Sequence, residues 1–265
     1  MIYTLAGFCI CAVLFLMLRF SILLPATRGL PVLLYHKMSS SSEDSLTIRP
    51  ETFEQHLMVL QKSGYETISF RQLLAFRENG SPLPEKPVMI TFDDGYVNNG
   101  ELAYSLLKKH GCKAVFFIPS AGIGKTSAWD PKAEALMGPQ QLKDLDPTVV
   151  ELGLHSACHG NYKHLSPESI DKDIEANIST MKTLGIPFVP AFAYPYGGRP
   201  KDRAVYNSMI GSFSKAGIKL AFRIGNRVNK LSLKNPFEIK RISIRGTDSL
   251  WTFRTKLTKG RVRQV

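Results

Sequence analysis

Apolar residues recur along most of this chain in two alternating rhythms, short continuous runs and helical stripes. The runs at 32–35, 88–92, 113–118, 149–154, 188–193, 218–222 and 239–244 read as buried strands. Between them, helical spacing appears at Phe53, Leu57 and Leu60 within 50–62, and at Ile170, Ile174, Ile178 and Met181. The second of these helices opens on Ser166 and Pro167 and stops at Gly185. Ser69 with Gln72 is a capping-box pattern ahead of Leu73, Leu74 and Phe76. Further helices are expected over 101–110, 140–145, 204–215 and 249–259, with a proline-rich connector at 81–87 and no internal repeat. Strands alternating with helices imply a mostly parallel sheet with helices outside. About seven such units predict a closed or nearly closed barrel, in which functional groups sit at the carboxyl ends of strands.

The first 24 residues break this rhythm. Ile2 to Leu18 is one apolar run, interrupted at Arg19 and resumed from Phe20 to Leu24. It is long enough to span a bilayer if Arg19 snorkels to the interface. The start, M-I-Y-T, lacks the charged beginning of a signal peptide. The pattern therefore predicts one transmembrane anchor over 1–24, a linker over 25–30 and one domain over 31–265. Arg19, Arg28 and Lys37 follow the run, so the positive-inside rule places the body on the cytosolic side of the inner membrane. Export of the body to the periplasm is the alternative.

A hydrophobic content of 44% supports a sizeable core, and a net charge of +12 points to an anionic partner. No basic stripe is interleaved with stacking aromatics, which argues against nucleic acid and leaves a solvated basic surface beside an anionic membrane. The stretch G-I-G-K-T-S at 122–127 resembles a phosphate loop. The first glycine of that motif falls on Pro119, however, and no clear long helix opens at the lysine, so no nucleotide site is expected. Cys9 and Cys11 lie in the apolar run, and Cys112 and Cys158 stand apart, which is not a disulfide framework.

Candidate chemistry sits at the strand ends. Val88–Phe92 runs into Asp93, Asp94 and Gly95. Two adjacent carboxylates at the end of a buried strand either form a turn or face a metal ion, since burying like charges side by side is costly. Other polar groups fall at strand ends too: His36, His155, and Tyr196 just beyond its strand. That coincidence favours a site. His155 and His159 stand four apart, which places both imidazoles on one side if the segment coils into a helical turn. Two histidines and a carboxylate make a common divalent-metal set. The other carboxylate is then free to take a proton from water, and an acid must protonate a departing amine. Of the remaining histidines only His36 follows a strand; His56 and His110 are expected on helices as surface or packing residues, and His164 is a spare.

T-F-D-D-G, then H-S-x-x-H, then a P-Y-G strand end resemble the polysaccharide deacetylases of the NodB-homology, carbohydrate esterase 4 family, by motif order over Pro31 to Ile244. The resemblance implies a distorted barrel, often of seven strands. It implies Asp93 as general base and Asp94, His155 and His159 as metal ligands. Tyr196, after Pro195, is implied to give a backbone N–H to the oxyanion. Two positions depart from the family pattern. Ala193 stands where an arginine usually pairs with the catalytic aspartate, and no histidine follows His164 to supply the usual acid. The poly-N-acetylglucosamine deacetylase branch shows the same loss, and there an early Y-H, here Tyr35-His36, is the implied acid.

These readings converge on a membrane-anchored N-deacetylase that uses a divalent metal, zinc first, with cobalt, nickel, iron or manganese as substitutes. The expected substrate is an N-acetylhexosamine in a cell-envelope glycan or a lipid-linked precursor, as in lipopolysaccharide or exopolysaccharide biosynthesis. A peptidoglycan deacetylase and a non-catalytic glycan-binding module are the alternatives. A glycosidase fits less well, because its two carboxylates must flank the bond about 5 Å or more apart. Trp129 and Trp251 are candidates for sugar stacking or for buried packing.

Overall fold

The computed structural model describes residues 27–41 and 44–261. The expected anchor over 1–24 lies outside them; among the described residues no helix is long and apolar enough to cross a membrane. In chain order the strands are β1 (Val32–Tyr35), β2 (Lys37–Met38), β3 (Thr47–Ile48), β4 (Glu66–Thr67), β5 (Pro87–Phe92), β6 (Ala114–Ile118), β7 (Val150–Leu154), β8 (Ala191–Ala193), β9 (Leu220–Ile224) and β10 (Ile239–Ser243). The helices are α1 (Pro50–Lys62), α2 (Phe70–Asn79), α3 (Tyr104–Lys109), α4 (Pro139–Lys143), α5 (Pro167–Thr183), α6 (Arg203–Lys215) and α7 (Leu250–Lys259).

β1 pairs in parallel with both β5 and β10, and β5 to β10 pair each with the next, so seven parallel strands close into the expected barrel. β4 lies against the start of β5, and β2 with β3 forms a separate small pair. The capping box at Ser69 and the cap at Ser166 both form. One strand is shorter than its apolar run. β8 begins only at Ala191, because Pro187 and Pro190 bring no N–H to a ladder. The helix expected over 101–110 begins as a π turn at Asn99–Ala103 and becomes α-helical from Tyr104.

Period-two alternation separates the core into two layers. Leu33, Tyr35, Val88, Ile90, Phe92 and Phe116 pack outward with Phe53, Leu57, Ile170 and Ile174 of the helices. Val32, Met89, Val115, Phe117, Ala193, Phe222 and Ile239 fill the interior, joined by Phe70 and Leu73 of α2. Gly153 makes room for this inner layer, since a Cβ there would meet the Phe117 ring at 2.6 Å. The inward series of β5 continues Met89, Thr91, Asp93, and that of β10 runs Ile239, Arg241, so charged groups enter the barrel from its upper end.

His56 is a core histidine. Its ring stacks on Phe253 of α7 at 3.7 Å between centroids, and Nδ1 meets the Tyr35 hydroxyl at 3.1 Å. Burial, aided by nearby Lys256, pushes its pKa down to about 3. The unfolded chain therefore takes up a proton near pH 6.5 that the folded one refuses until about pH 3. The stability this neutral ring contributes is complete above pH 6.5 and is lost as pH falls from there to 3. Chemical denaturation of the wild type should show about 2 kcal/mol lost to this group between pH 7 and pH 5. His56→Asn should remove that part of the slope; an unchanged slope would place the titration elsewhere.

Candidate functional site

A cleft of about 650 Å³ opens at the carboxyl ends of the barrel strands. Each ring strand delivers a residue to it or to its rim. His36 follows β1, Asp93 and Asp94 follow β5, His155 follows β7, Tyr196 follows β8, Asn226 follows β9 and Arg245 follows β10. The loop after β6 adds Trp129, Asp130 and Pro131. Because Tyr35 is paired with Phe92, the next residues along the two strands, His36 and Asp93, stand side by side.

Asp94, His155 and His159 offer ligand atoms that all lie within 4.8 Å of one another, and all three residues are buried. Asp94 Oδ1 sits 3.4 Å from His155 Nε2 and 3.1 Å from His159 Nε2, and it accepts no hydrogen bond of its own. The other nitrogen of each ring is already held: His155 Nδ1 donates to the Ala193 carbonyl at 2.7 Å, and His159 Nδ1 lies 3.2 Å from the Tyr196 hydroxyl. Each imidazole thus turns Nε2 toward one focus, the arrangement that outer partners impose on metal-binding histidines. Burial opposes the Asp94 charge, but His155 and His159 outweigh it and hold the carboxyl well below its usual range. The donor set and the orphaned buried oxygen fit a divalent cation.

The imidazoles converge by a route other than the helical turn. Residues 155–160 form an irregular turn in which Ser156 has φ 63° and His159 φ 57°. Asp94 at φ 74° and Tyr196 at φ 57° share this left-handed conformation, which costs a residue with a side chain about 1 kcal/mol or more. Most of the described non-glycine residues with positive φ therefore cluster at the site, where such strain is commonly retained.

Asp93 has a different surrounding. Arg241, fully buried on β10, donates from its two terminal nitrogens to the two Asp93 oxygens at 2.5 and 2.7 Å. The guanidinium carbon also lies 5.4 Å from the centre of the Phe117 ring. Burial pushes the Asp93 carboxyl up, and Arg241, His155 and His36 together bring it below its ordinary value. Arg241 thus supplies the pairing that Ala193 does not. The run at 239–244 reads as an apolar strand, and the one signal in it for Arg241 is an arginine at an inward position between Ile239 and Ile242.

His36 lines the cleft wall with Nδ1 unpartnered. Burial lowers its pKa, while Asp93 and Asp94 pull the other way. Tyr196 is 58% exposed and lines the cleft, whereas Pro195 is buried in the turn beneath it. His164 lies in a separate short turn and does not reach the site. His110 caps α3 and meets Glu54 at 2.9 Å, and Trp251 is 49% exposed.

Two further contributors come from the loops after β5 and β6. Trp129 stacks on the His159 ring at 4.4 Å. The glycine-rich loop that holds it is therefore a wall of the cleft. The Tyr96 hydroxyl lies 3.0 Å from Asp94 Oδ2 and 2.6 Å from Asp130 Oδ2. Lys37, one of the positive charges that follow the apolar run, is buried. Its ammonium lies 3.2 Å from Glu134, 3.5 Å from Asp44 and 3.8 Å from Asp130, tying three segments together behind the site. Cys112 and Cys158 are free thiols.

Comparison with known proteins agrees with this geometry. The chain is 28% identical over 168 residues to YxkH of Bacillus subtilis (strain 168), spanning 63% of this chain and 57% of that one, so it covers little more than half of that relative. It is 23% identical over 220 residues to the poly-beta-1,6-N-acetyl-D-glucosamine N-deacetylase of Staphylococcus aureus (strain N315), covering 80% of this chain and 72% of the relative. The structure of IcaB from Ammonifex degensii superposes with a TM-score of 0.73 at 21% identity, over 88% of this chain and 97% of that one, which shows a common fold. The family model described as polysaccharide deacetylase matches residues 80–242, from ahead of the paired aspartates to the strand that carries Arg241, and by that match the chain belongs to the polysaccharide deacetylase family.

Proposed function

We propose that this protein is a metal-dependent N-deacetylase that hydrolyses the acetamide of an N-acetylhexosamine in a cell-envelope glycan or lipid-linked glycan precursor, releasing acetate and a free amine. The observation that carries this reading is the pairing of roles on adjacent residues. Asp94 faces two imidazoles with an unpartnered oxygen, while Asp93 is held ionised by Arg241. Held by Asp94, His155 and His159, a divalent cation, zinc by preference for this donor set, would act as a Lewis acid toward the acetamide carbonyl and lower the pKa of water.

The chain's own groups do the rest. Asp93 takes the proton of the attacking water, and its fixed bidentate partner keeps it in one orientation. His36, beside Asp93, protonates the departing amine. The neighbouring carboxylates favour its charged form, and burial makes that form a stronger acid. The Tyr196 backbone N–H is the expected donor to the tetrahedral oxyanion. Trp129 offers an aromatic face and excludes water beside His159.

A place at the inner membrane is supported by the apolar run over 2–24 and by charge near its end. Thr27 N–H donates to the Thr258 carbonyl at 2.8 Å, and Arg227, Lys230, Lys234 and Lys240 line a second cleft beside Thr27. Such basic clusters favour anionic headgroups. A reporter fused at Val265 tests the cytosolic placement of the body; activity only from a periplasmic reporter would reverse it.

The test of activity is acetate release from N-acetylglucosamine oligomers, with and without chelator. Equal amounts of acetate and free amine are expected, lost on chelation and restored by zinc. New reducing ends would indicate a glycosidase, and binding without product a glycan-binding module.

A further inference from the structure

We infer that the catalytic cleft contains an anion subsite, formed by Arg245 and Arg261 beside Lys256, which takes a phosphate or carboxylate carried by the substrate close to the sugar that is deacetylated. The inference rests on the deacetylase reading and adds a substrate class to it.

The cleft is electrically two-sided. At the strand ends its acidic groups are matched internally, Asp93 by Arg241 and Asp94 by the imidazole pair. The other wall is built from the residues after β10 and the end of α7, and it contributes Arg245, Lys256 and Arg261. Arg245 and Arg261 are exposed, and among the described residues neither guanidinium has a carboxylate partner.

That lack is arranged by the nearest acid. Asp248 is 8% exposed, and its Oδ2 accepts from Lys256 Nζ at 2.5 Å and from the Arg245 backbone N–H at 2.8 Å. Lys256 also donates to the Ser243 carbonyl at 2.9 Å. The carboxylate thereby fixes the turn and the ammonium, and among the described residues no carboxylate is left for the Arg245 guanidinium at the cleft. Two like charges in one cleft repel each other unless an anion meets them, and the planar guanidinium matches phosphate and carboxylate oxygens in pairs. A neutral poly-N-acetylglucosamine brings no such group. A glycosyl phosphate or an acidic sugar does.

The experiment uses the full chain in zwitterionic nanodiscs. Acetate release is measured on a neutral N-acetylglucosamine oligomer, the same oligomer bearing a 1-phosphate, and the same oligomer bearing a terminal carboxylate. The expected result is a kcat/KM about tenfold or more higher on at least one anionic substrate, with the two arms telling phosphate from carboxylate. That preference should fall to near unity in Arg245→Gln/Arg261→Gln and should shrink as salt is raised. Equal kcat/KM on all three substrates in the wild type, or an undiminished preference in the double variant, overturns the subsite and leaves the deacetylase reading standing. If no substrate releases acetate, the deacetylase reading fails instead. The subsite is then read by titration with the 1-phosphate oligomer: about tenfold weaker binding in the double variant supports it, and equal affinity overturns it. Melting temperatures of both proteins check folding; the two arginines are exposed, and no change is expected.

Discussion

Replacing Arg241 by methionine should lower kcat at least about 100-fold and destabilise the fold by about 3 kcal/mol, because it leaves a carboxylate buried without its partner. The guanidinium is fully buried, contacts both oxygens of Asp93, and stacks over Phe117. Arg241→Lys should fall between the two, since an ammonium keeps the charge and loses the paired geometry. The informative variant is the double one, Arg241→Met with Asp93→Asn. Removing both charges should recover most of the stability lost in Arg241→Met while turnover stays absent. Recovery of stability separates the electrostatic role of Arg241 from simple filling of the barrel. If Arg241→Met keeps wild-type turnover, the general base is not the carboxylate that Arg241 holds.

How far the sequence reveals the site depends on how each residue is signalled. Asp93, Asp94, His36 and His155 interrupt apolar runs at strand ends, so the pattern that reveals the strand also reveals the residue. His159 was legible only through its spacing to His155, and the spacing gave the right pairing with the wrong backbone. Left-handed residues at Ser156 and His159 turn the rings together where a helical turn was expected. Arg241 was hidden because a single charge in an apolar strand is ordinarily an outward residue, and only the inward phase of β10 shows otherwise. Trp129 and Asp130 had no signal of this kind. The stretch between β6 and α4 has no apolar period, and its route over the cleft is fixed by tertiary contacts such as the Thr126–Ala135 and Tyr96–Leu136 bridges. The burial of Lys37 has no local signal for a related reason. Its burial depends on carboxylates at Asp44, Asp130 and Glu134, two of which lie about ninety residues away in sequence. The fold was more legible than the site, since barrel closure follows from repeated local alternation of strand and helix, whereas the cleft is assembled from seven separate loops.

Asp93 and Asp94 are neighbours in sequence, yet their substitutions should separate cleanly. Asp94→Ala removes the one oxygen that faces both Nε2 atoms, at 3.1 and 3.4 Å, so retention of the proposed zinc and turnover should be lost together. Asp93→Asn should keep the zinc and lose turnover by about 10²–10⁴, the range expected of a general base. The reason lies in where the oxygens point. Both oxygens of Asp93 accept from Arg241, and the nearer imidazole nitrogen is 3.7 Å from Oδ2, so this carboxylate is committed to the guanidinium rather than to a metal focus. Metal content by emission spectroscopy after gel filtration, alongside acetate release, reads the two roles independently. Loss of zinc from Asp93→Asn as complete as from Asp94→Ala would make Asp93 a ligand, and the proton would then have to leave through another group. Retained zinc with absent turnover would tie proton transfer to the carboxylate that Arg241 orients, and would leave Asp94 as the charge that draws the two imidazoles onto one ion.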